Sequence, residues 1–381
     1  MSLIRRPAVG VLLSSGERFG PYFGGALARW TYEVYRCLVE QFEVQVFGFP
    51  TAPEDRYSLP HQTSRVAGVC QVMAQIPWVR RYEEEVWLRA IWGRIKKLDV
   101  IHIHNRPQWV DLLRKFGYRG AVVLHLQNNH LGHWEAAALD ELATRLEGVA
   151  VCSTFLRDTF VPRSASLASK TRVVLNGVNT QLFLPKEEVR EPKTVFFVGR
   201  FDPEKGVLQL VRAFARVLRA HPDAKLVIGG STGFGTHSET AYVRQVRAEA
   251  ANSQSEYPGS VRFAGYIHHD RDLPSWSQRA TLFTSPSMFE EPFGLVNAEA
   301  MACATPVVGS NRGGIPEVLG EAGILINPED EREYGDALIA LFSDAERSAG
   351  LGRASLERVK EYFDWRVIAR SWAAFLNQAI L

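Results

Sequence analysis

Glu291 and Glu299 stand eight positions apart in F-E-E-P-F-G-L-V-N-A-E-A-M-A-C-A-T-P-V-V, where a polar loop runs into an apolar helix. Pro292, Phe293 and Gly294 make a tight turn. The strong helix formers Leu295, Ala298, Glu299, Ala300 and Met301 then predict a helix over Leu295–Met301. A helix starting there aims unpaired backbone N–H groups and a partial positive charge at whatever precedes it, which favours a phosphate or polar ligand. Glu291 lies at the mouth and Glu299 about two turns in, so the two carboxylates can grip hydroxyls of two different sugars. Acids also decorate helix N-termini with no such role, and spacing alone does not separate the two readings.

A second segment supplies positive charge. Lys193–Gly206 reads K-T-V-F-F-V-G-R-F-D-P-E-K-G. Thr194–Val198 has the apolar, β-branched pattern of a buried strand. Arg200 follows its carboxyl end, and Lys205-Gly206 opens an amphipathic helix with Val207, Leu210, Val211, Phe214, Val217 and Leu218 on one face. α/β folds bind ligands at such strand ends, and a guanidinium beside an ammonium suits a diphosphate. The alternative is a pair of solvated charges in a βα loop.

Taken together, these segments resemble glycosyltransferase family 4, the retaining GT-B enzymes. Also similar are Gly24-Gly25 before the first helix, Asn176-Gly177-Val178-Asn179 with Phe183, and the base-binding turn Phe263-Ala264-Gly265-Tyr266. The S-N-R-G-G-I-P-E-V run at Ser310–Val318 and the terminal F-D-W-R-V-I-A-R-S-W fit as well. Each motif is short and weak alone, but their joint order is specific. Within the family, E-P-F-G-L-V-N-A-E-A-M-A looks most like bacterial enzymes that build surface or envelope polysaccharides.

The resemblance implies two Rossmann-like, doubly wound parallel-sheet domains facing across a cleft. It implies transfer of a hexose-type sugar from a nucleotide diphosphate sugar, UDP favoured over GDP, to a hydroxyl acceptor with retention. Arg200 and Lys205 would stabilise the departing diphosphate. Glu291 would hold the transferred sugar, assisted by the N–H groups of Phe293, Gly294 and Leu295. Glu299 would bind the ribose, Tyr266 would meet the base, and Gly24-Gly25 would lie over the diphosphate. The acceptor, a glycan, a lipid-linked sugar or a small molecule, would bind the first domain. Other expectations are another GT-B enzyme, such as an epimerase or phosphorylase, a non-catalytic coat or scaffold protein, or a sugar-phosphate binding protein.

The chain departs from the family pattern in A-V-V-L-H-L-Q-N-N-H. The family places a His at this strand end, whereas here Gln127 holds that position and His125 lies two residues deeper on the same face. Either is a candidate to contact the donor. His102 and His104 also share a face. With no third ligand at a recognisable spacing, they read as cleft or packing residues rather than a metal pair. Asp270-Arg271-Asp272 spells D-x-D in a loop, and a metal there is unneeded if Arg200, Lys205 and helix N–H groups neutralise the diphosphate. The expectation is therefore no metal and no cofactor.

The elements that must hold these groups alternate strand and helix. Strands are predicted at Ala8–Leu13, Val44–Phe49, Val100–His104, Ala121–Leu126, Gly148–Cys152 and Arg172–Leu175. The second half has them at Thr194–Val198, Lys225–Ile228, Val261–Ala264, Ala280–Thr284, Pro306–Gly309 and Gly323–Ile326. A helix is expected over Ala26–Val39. This grammar gives parallel sheets, with domains at residues 1–180 and 181–365 and a terminal helix, residues 366–381, crossing back.

At 381 residues, 46% hydrophobic and 23% charged, the chain has room for two domains, and its net charge of +2 argues against nucleic acid. Residues 1–180 carry 22 Lys and Arg against 16 Asp and Glu, so the amino-terminal half is basic. That suits an anionic acceptor or peripheral contact with a membrane. Val79–Lys97 mixes aromatics with bases, with Trp87 and Trp92 suited to a bilayer surface and Tyr82, Val86, Ala90 and Ile91 to a core-facing stripe. The apolar run near the start is too short for a signal peptide, and no run is long enough to span a bilayer. Cys37, Cys70, Cys152 and Cys303 are scattered and read as buried thiols in a reducing compartment. The expected location is cytoplasmic, with peripheral contact at the inner face of the plasma membrane.

Overall fold

The computed structural model describes residues 5–14, 16–21, 25–64, 66–76, 78–232 and 239–381, without the side chains of residues 80 and 81. The chain divides into two compact units, Met1–Asn176 with Trp365–Leu381, and Gly177–Asp364.

The first unit carries a seven-stranded sheet in the order β3-β2-β1-β4-β5-β6-β7, every pairing parallel. Its strands are β1 (Ala8–Leu12), β2 (Glu43–Phe47), β3 (His61–Gln62), β4 (Val100–His104), β5 (Ala121–Leu126), β6 (Gly148–Val151) and β7 (Thr171–Val173). Helices cover both faces of such a sheet, so its central strands are apolar throughout. Ala-Val-Gly-Val-Leu of β1 is buried at all five positions. β4 is also wholly buried, yet two of its five residues are His102 and His104.

The closing helix, Trp365–Ile380, belongs to this unit and packs against the Ala26–Tyr35 helix, β5 and β6. Its buried stripe, Trp365, Ile368, Ala369, Trp372, Phe375 and Leu376, recurs at three- and four-residue steps. Trp372 meets Trp30 edge-to-face at 4.9 Å, in one core with Val9, Val11, Val34 and Tyr35.

The second unit carries β8 (Thr194–Val198), β9 (Lys225–Gly229), β10 (Val261–Gly265), β11 (Leu282–Ser285), β12 (Val307–Ser310) and β13 (Ile324–Ile326). They form a six-stranded parallel sheet in the order β10-β9-β8-β11-β12-β13. The Val207–Ala220 helix buries the predicted face, Val207, Leu210, Val211, Phe214, Val217 and Leu218, against the Glu331–Ser343 helix and the sheet. Tyr334 is fully buried, and its hydroxyl meets Thr284 Oγ1 at 2.6 Å.

In each sheet the strand order reverses at one place, between β1 and β4 in the first unit and between β8 and β11 in the second. Chain leaving two adjacent strands there departs in opposite directions and opens a crevice at their carboxyl ends.

Several expectations need correction. β3 is only two residues long and carries no periodicity to reveal it. The first helix ends at Tyr35, not Val39. In the Arg80–Ile95 helix the buried face is Trp87, Leu88, Ile91 and Ile95, whereas Tyr82 and Ala90 are exposed and Val86 is half-buried. Trp87 is thus closed to a bilayer. Cys70, Cys152 and Cys303 are buried and in no disulfide, while Cys37 is half-buried.

The closing helix fixes a large share of the first unit's core. Trp372→Ala should therefore destabilise that unit by about 3–5 kcal/mol, read from equilibrium urea unfolding. A loss below about 1 kcal/mol would show that the helix is not a structural part of this core.

Candidate active site

The loops after β8 and β11 lie at the second unit's switch point. Beyond β8 the chain makes a short turn, Pro203–Lys205, capped by Asp202, whose Oδ1 accepts from the Lys205 N–H at 3.2 Å. Gly206 follows with φ +68°, and a Cβ there would stand 1.9 Å from the Pro286 carbonyl oxygen. Glycine is required on both counts. The Met288 N–H donates to the Glu204 carbonyl at 2.7 Å, so the two loops are tied backbone to backbone.

That contact brings the two charged motifs together. Lys205 Nζ lies 2.5 Å from Glu291 Oε2, with the side chains only 20% and 19% exposed. Ser287 Oγ donates to the same carboxylate oxygen at 3.3 Å, and the Phe289 ring lies 4.6 Å from the ammonium. Arg200 stands differently. Its side chain is 60% exposed and pairs with Asp202 and Glu204 at 3.2 and 3.5 Å. Exposed pairs of this kind are weak and readily exchanged for another anion.

Two further glycines brace Glu291 from behind. Gly313 has φ +63°, and a Cβ on it would fall 2.2 Å from the Glu291 carbonyl oxygen. One on Gly314 would fall 2.4 Å from that of Pro292. The Gly314 N–H donates to the Glu291 carbonyl at 2.6 Å. The G-G of the S-N-R-G-G-I-P run is thus a backbone cradle for the Glu290–Phe293 loop.

Gly294 takes φ +86° and opens the helix Leu295–Ala302, one residue longer than predicted. Phe293 is buried edge-on against Phe363 at 5.8 Å. Glu299 is the fifth residue of the helix and so one turn in, not two. It is 5% exposed, and its Oε1 is held by His269 Nε2. Its Oε2 is buried with no hydrogen-bond partner. A buried carboxylate oxygen in that state is a strong acceptor left unsatisfied.

His269 was not singled out in the sequence. Its Nδ1 meets Asp270 Oδ1 at 2.5 Å, so the imidazole bridges two carboxylates. Both D-x-D carboxylates have partners within the protein: Asp270 backs His269, and Asp272 receives Arg271 at 2.8 Å and the His268 N–H at 3.3 Å. The hydrogen bond from Arg271 holds the Asp272 carboxyl below its usual range. Tyr266, beyond the left-handed Gly265 at the end of β10, is half-buried and meets His268 edge-on at 4.9 Å.

In the first unit Gly24 lies outside the described residues. The Gly25 N–H donates to Glu17 Oε1 at 2.7 Å, and a Cβ on Gly25 would come within 2.8 Å of that oxygen. The first helix thus starts against a carboxylate of its own chain, whose pKa burial raises.

His125 is wholly enclosed, so it is a core residue rather than a donor contact. Gln127 alone stands at the strand end. Its Nε2 donates to His125 Nε2 at 2.8 Å, its Oε1 accepts from Asn176 Nδ2 at 2.7 Å, and its N–H donates to Asn105 Oδ1 at 2.7 Å. His102, His104 and His125 lie together. Burial drives all three towards the neutral form, His104 down to about 3 and the other two well below their usual value.

Residues 23–182 match the family described as Glycosyltransferase Family 4, and residues 180–358 match Glycosyl transferases group 1. The chain is 29% identical to the spore coat protein SA of Bacillus subtilis, over 91% of this chain and 93% of that one. It is 28% identical to a Mycobacterium tuberculosis glycogen synthase, over 74% and 70%. Among solved structures, Anabaena HepE in complex with UDP and glucose superposes with TM-score 0.74 at 19% identity, over 98% of this chain and all of that one. Sucrose-phosphate synthase from Thermosynechococcus elongatus gives 0.77 at 22% identity, over 98% and 99%.

Proposed function

This chain belongs to glycosyltransferase family 4 and has the two-domain GT-B fold, and from that premise we propose that it is a retaining hexosyltransferase using a UDP-sugar. The acceptor is a hydroxyl on a glycan, a lipid-linked sugar or a small molecule. The product belongs to bacterial cell-surface polysaccharide or lipopolysaccharide. The observation that carries the reading is the meeting of Lys205 with Glu291 at the switch point, beside a Glu299 whose Oε2 lacks a partner. HepE, of the same fold, binds UDP and UDP-glucose, which supports the choice of base.

Negative charge develops on the diphosphate as the glycosidic bond breaks, and fixed cations there lower the barrier. Lys205 supplies the enclosed charge, and Arg200 can exchange Asp202 and Glu204 for phosphate oxygens. Donor binding divides the Lys205 ammonium between Glu291 and the diphosphate, which leaves Glu291 able to accept sugar hydroxyls. Phe293, Gly294 and Leu295 offer backbone N–H groups beside it. Glu299 Oε2 takes a ribose hydroxyl while His269 keeps Oε1 oriented. Tyr266 lies along the base. With no side chain assigned as a nucleophile, retention proceeds by front-face attack of the acceptor within an ion pair.

The first unit takes the acceptor. No helix among the described residues is long and apolar enough to cross a membrane. Trp78, 75% exposed, and the exposed Tyr82 favour peripheral contact at the inner face of the plasma membrane, in a cytoplasmic protein. The kinship with a spore coat protein gives a second reading, a coat component that keeps the fold. Retention of Lys205, Glu291 and Glu299 favours catalysis.

A UDP-hexose should raise the thermal midpoint more than GDP-, ADP- or TDP-hexoses do, and Lys205→Ala should cut its turnover by about two to three orders of magnitude, roughly 3–4 kcal/mol. Full turnover in a folded Lys205→Ala protein would remove Lys205 from the mechanism. Calorimetry separates the two glutamates. Glu299→Gln should weaken both UDP and UDP-sugar by about 1.5–3 kcal/mol, the worth of a charge-assisted hydrogen bond. Glu291→Gln should leave UDP affinity unweakened, since it releases Lys205 to the phosphates, while turnover falls. Equal weakening of UDP by both variants would refute this division. Metal independence at the diphosphate is tested by adding magnesium or manganese to the EDTA-treated enzyme. Turnover should not respond, and a strong rise would return Asp270 and Asp272 to consideration as ligands.

A further inference from the structure

β4 places His102 and His104 on one face, and its register with β5 sets His104 directly opposite His125. Three imidazoles thereby meet inside the first unit. Ring centroids lie 4.1 Å apart for His102 and His104, 5.1 Å for His104 and His125, and 5.5 Å for His102 and His125. The Trp30 ring closes one side, 4.3 Å from His125, and the Trp372 ring closes another, 4.4 Å from His102.

Each ring is held by one nitrogen only. His102 Nδ1 meets the Tyr35 hydroxyl at 3.1 Å, His104 Nε2 meets Thr31 Oγ1 at 3.0 Å, and His125 Nε2 meets the Gln127 amide at 2.8 Å. Thr31 and Tyr35 are one helical turn apart on the same helix. The other nitrogens, His102 Nε2, His104 Nδ1 and His125 Nδ1, are buried without any hydrogen-bond partner. An unsatisfied buried polar atom is destabilising, so three together in one core call for a ligand.

We propose that His102, His104 and His125 form a binding site for a nitrogen-preferring divalent transition metal, zinc foremost, in the core of the first unit. One ligand atom from each ring already lies within 4.8 Å of the others. Zinc–nitrogen bonds of about 2.0–2.1 Å in a tetrahedron set the nitrogens about 3.3 Å apart, so the rings close by roughly 1.5 Å at most. Imidazole ligates in its neutral form and suits zinc, copper and nickel rather than magnesium. In that form the second nitrogen carries a proton, and hydroxyls of Tyr35 and Thr31 can accept it. Turning over the Gln127 amide makes its Oε1 the acceptor for His125 Nε2–H, and turning over Asn176 with it lets the unpartnered Asn176 Oδ1 accept from Gln127 Nε2. Such partners fix tautomer and ring orientation at metal sites. With three protein ligands, the fourth position is left to a water. The metal holds β4 and β5 beneath the first and closing helices and takes no part in sugar transfer, so the proposal stands or falls apart from the activity.

The full-length protein is unfolded and refolded with zinc or cobalt(II), dialysed, and assayed for bound metal and thermal midpoint. One equivalent should be retained, with a raised midpoint and the visible absorption of four-coordinate cobalt. His102→Phe, which keeps an aromatic ring, should lose the metal, and His221→Ala, in the second unit, should keep it. Should His102→Phe fail to fold, His104→Gln serves, and the cobalt spectrum of the unaltered protein reports the ligands independently. No retained metal, metal kept by His102→Phe or His104→Gln, or an intense thiolate-to-cobalt band would overturn the site and leave the histidines as packing.

Discussion

The second unit's site is centred on the Lys205–Glu291 pair. The two residues are 86 positions apart and come from loops that leave neighbouring strands, β8 and β11, in opposite directions. Phe201 and Phe293 each bury one ring from these loops. They are also fixed by backbone contact closer than any side chain permits, Gly206 against Pro286 and Gly313 against Glu291. The ion pair then sits in a frame whose geometry does not depend on the pair's own strength. That matters because a half-buried pair gains little net stability once desolvation is counted. Its value is a charge held in place and able to exchange partners.

Much of this was legible in the sequence. Runs such as Thr-Val-Phe-Phe-Val and Val-Ile-His-Ile-His declare buried strands, and the helical stripe of Val207–Leu218 declares its face. The loop chemistry at Arg200, Lys205, Glu291 and Glu299 was legible through order and spacing. Pairing across distant loops was not. Nothing in the sequence says that Lys205 reaches Glu291, or that His269 holds Glu299, since both contacts depend on which strands lie side by side. β3 escaped because two residues carry no period. The core stripe of Arg80–Ile95 was misplaced because that helix has aromatics and aliphatics on more than one face, so periodicity gave no single answer.

The histidines show the same limit. His102 and His104 announce a shared face, but the third imidazole is 21 residues beyond His104, brought alongside by strand register. Their cluster also contrasts with the site in the other unit. There the buried polar groups are cations against carboxylates. In the first unit they are rings buried among indoles, and burial drives them towards the neutral form. One arrangement suits an anionic ligand and the other a nitrogen-preferring divalent metal.

The return of Trp365–Ile380 to the first unit has a consequence for biosynthesis. Synthesis runs from the amino terminus, and domains generally fold as units in that order. Here the first unit is discontinuous, with Trp372 and Leu376 in its core, while the second is one unbroken segment. On the ribosome the order is inverted. The second unit can finish its core while the first still shows an open apolar face over Trp30 and Val34. The nascent chain must keep that face from other partners until Trp365–Ile380 has emerged, so a helix made after the whole second unit completes a core begun before it.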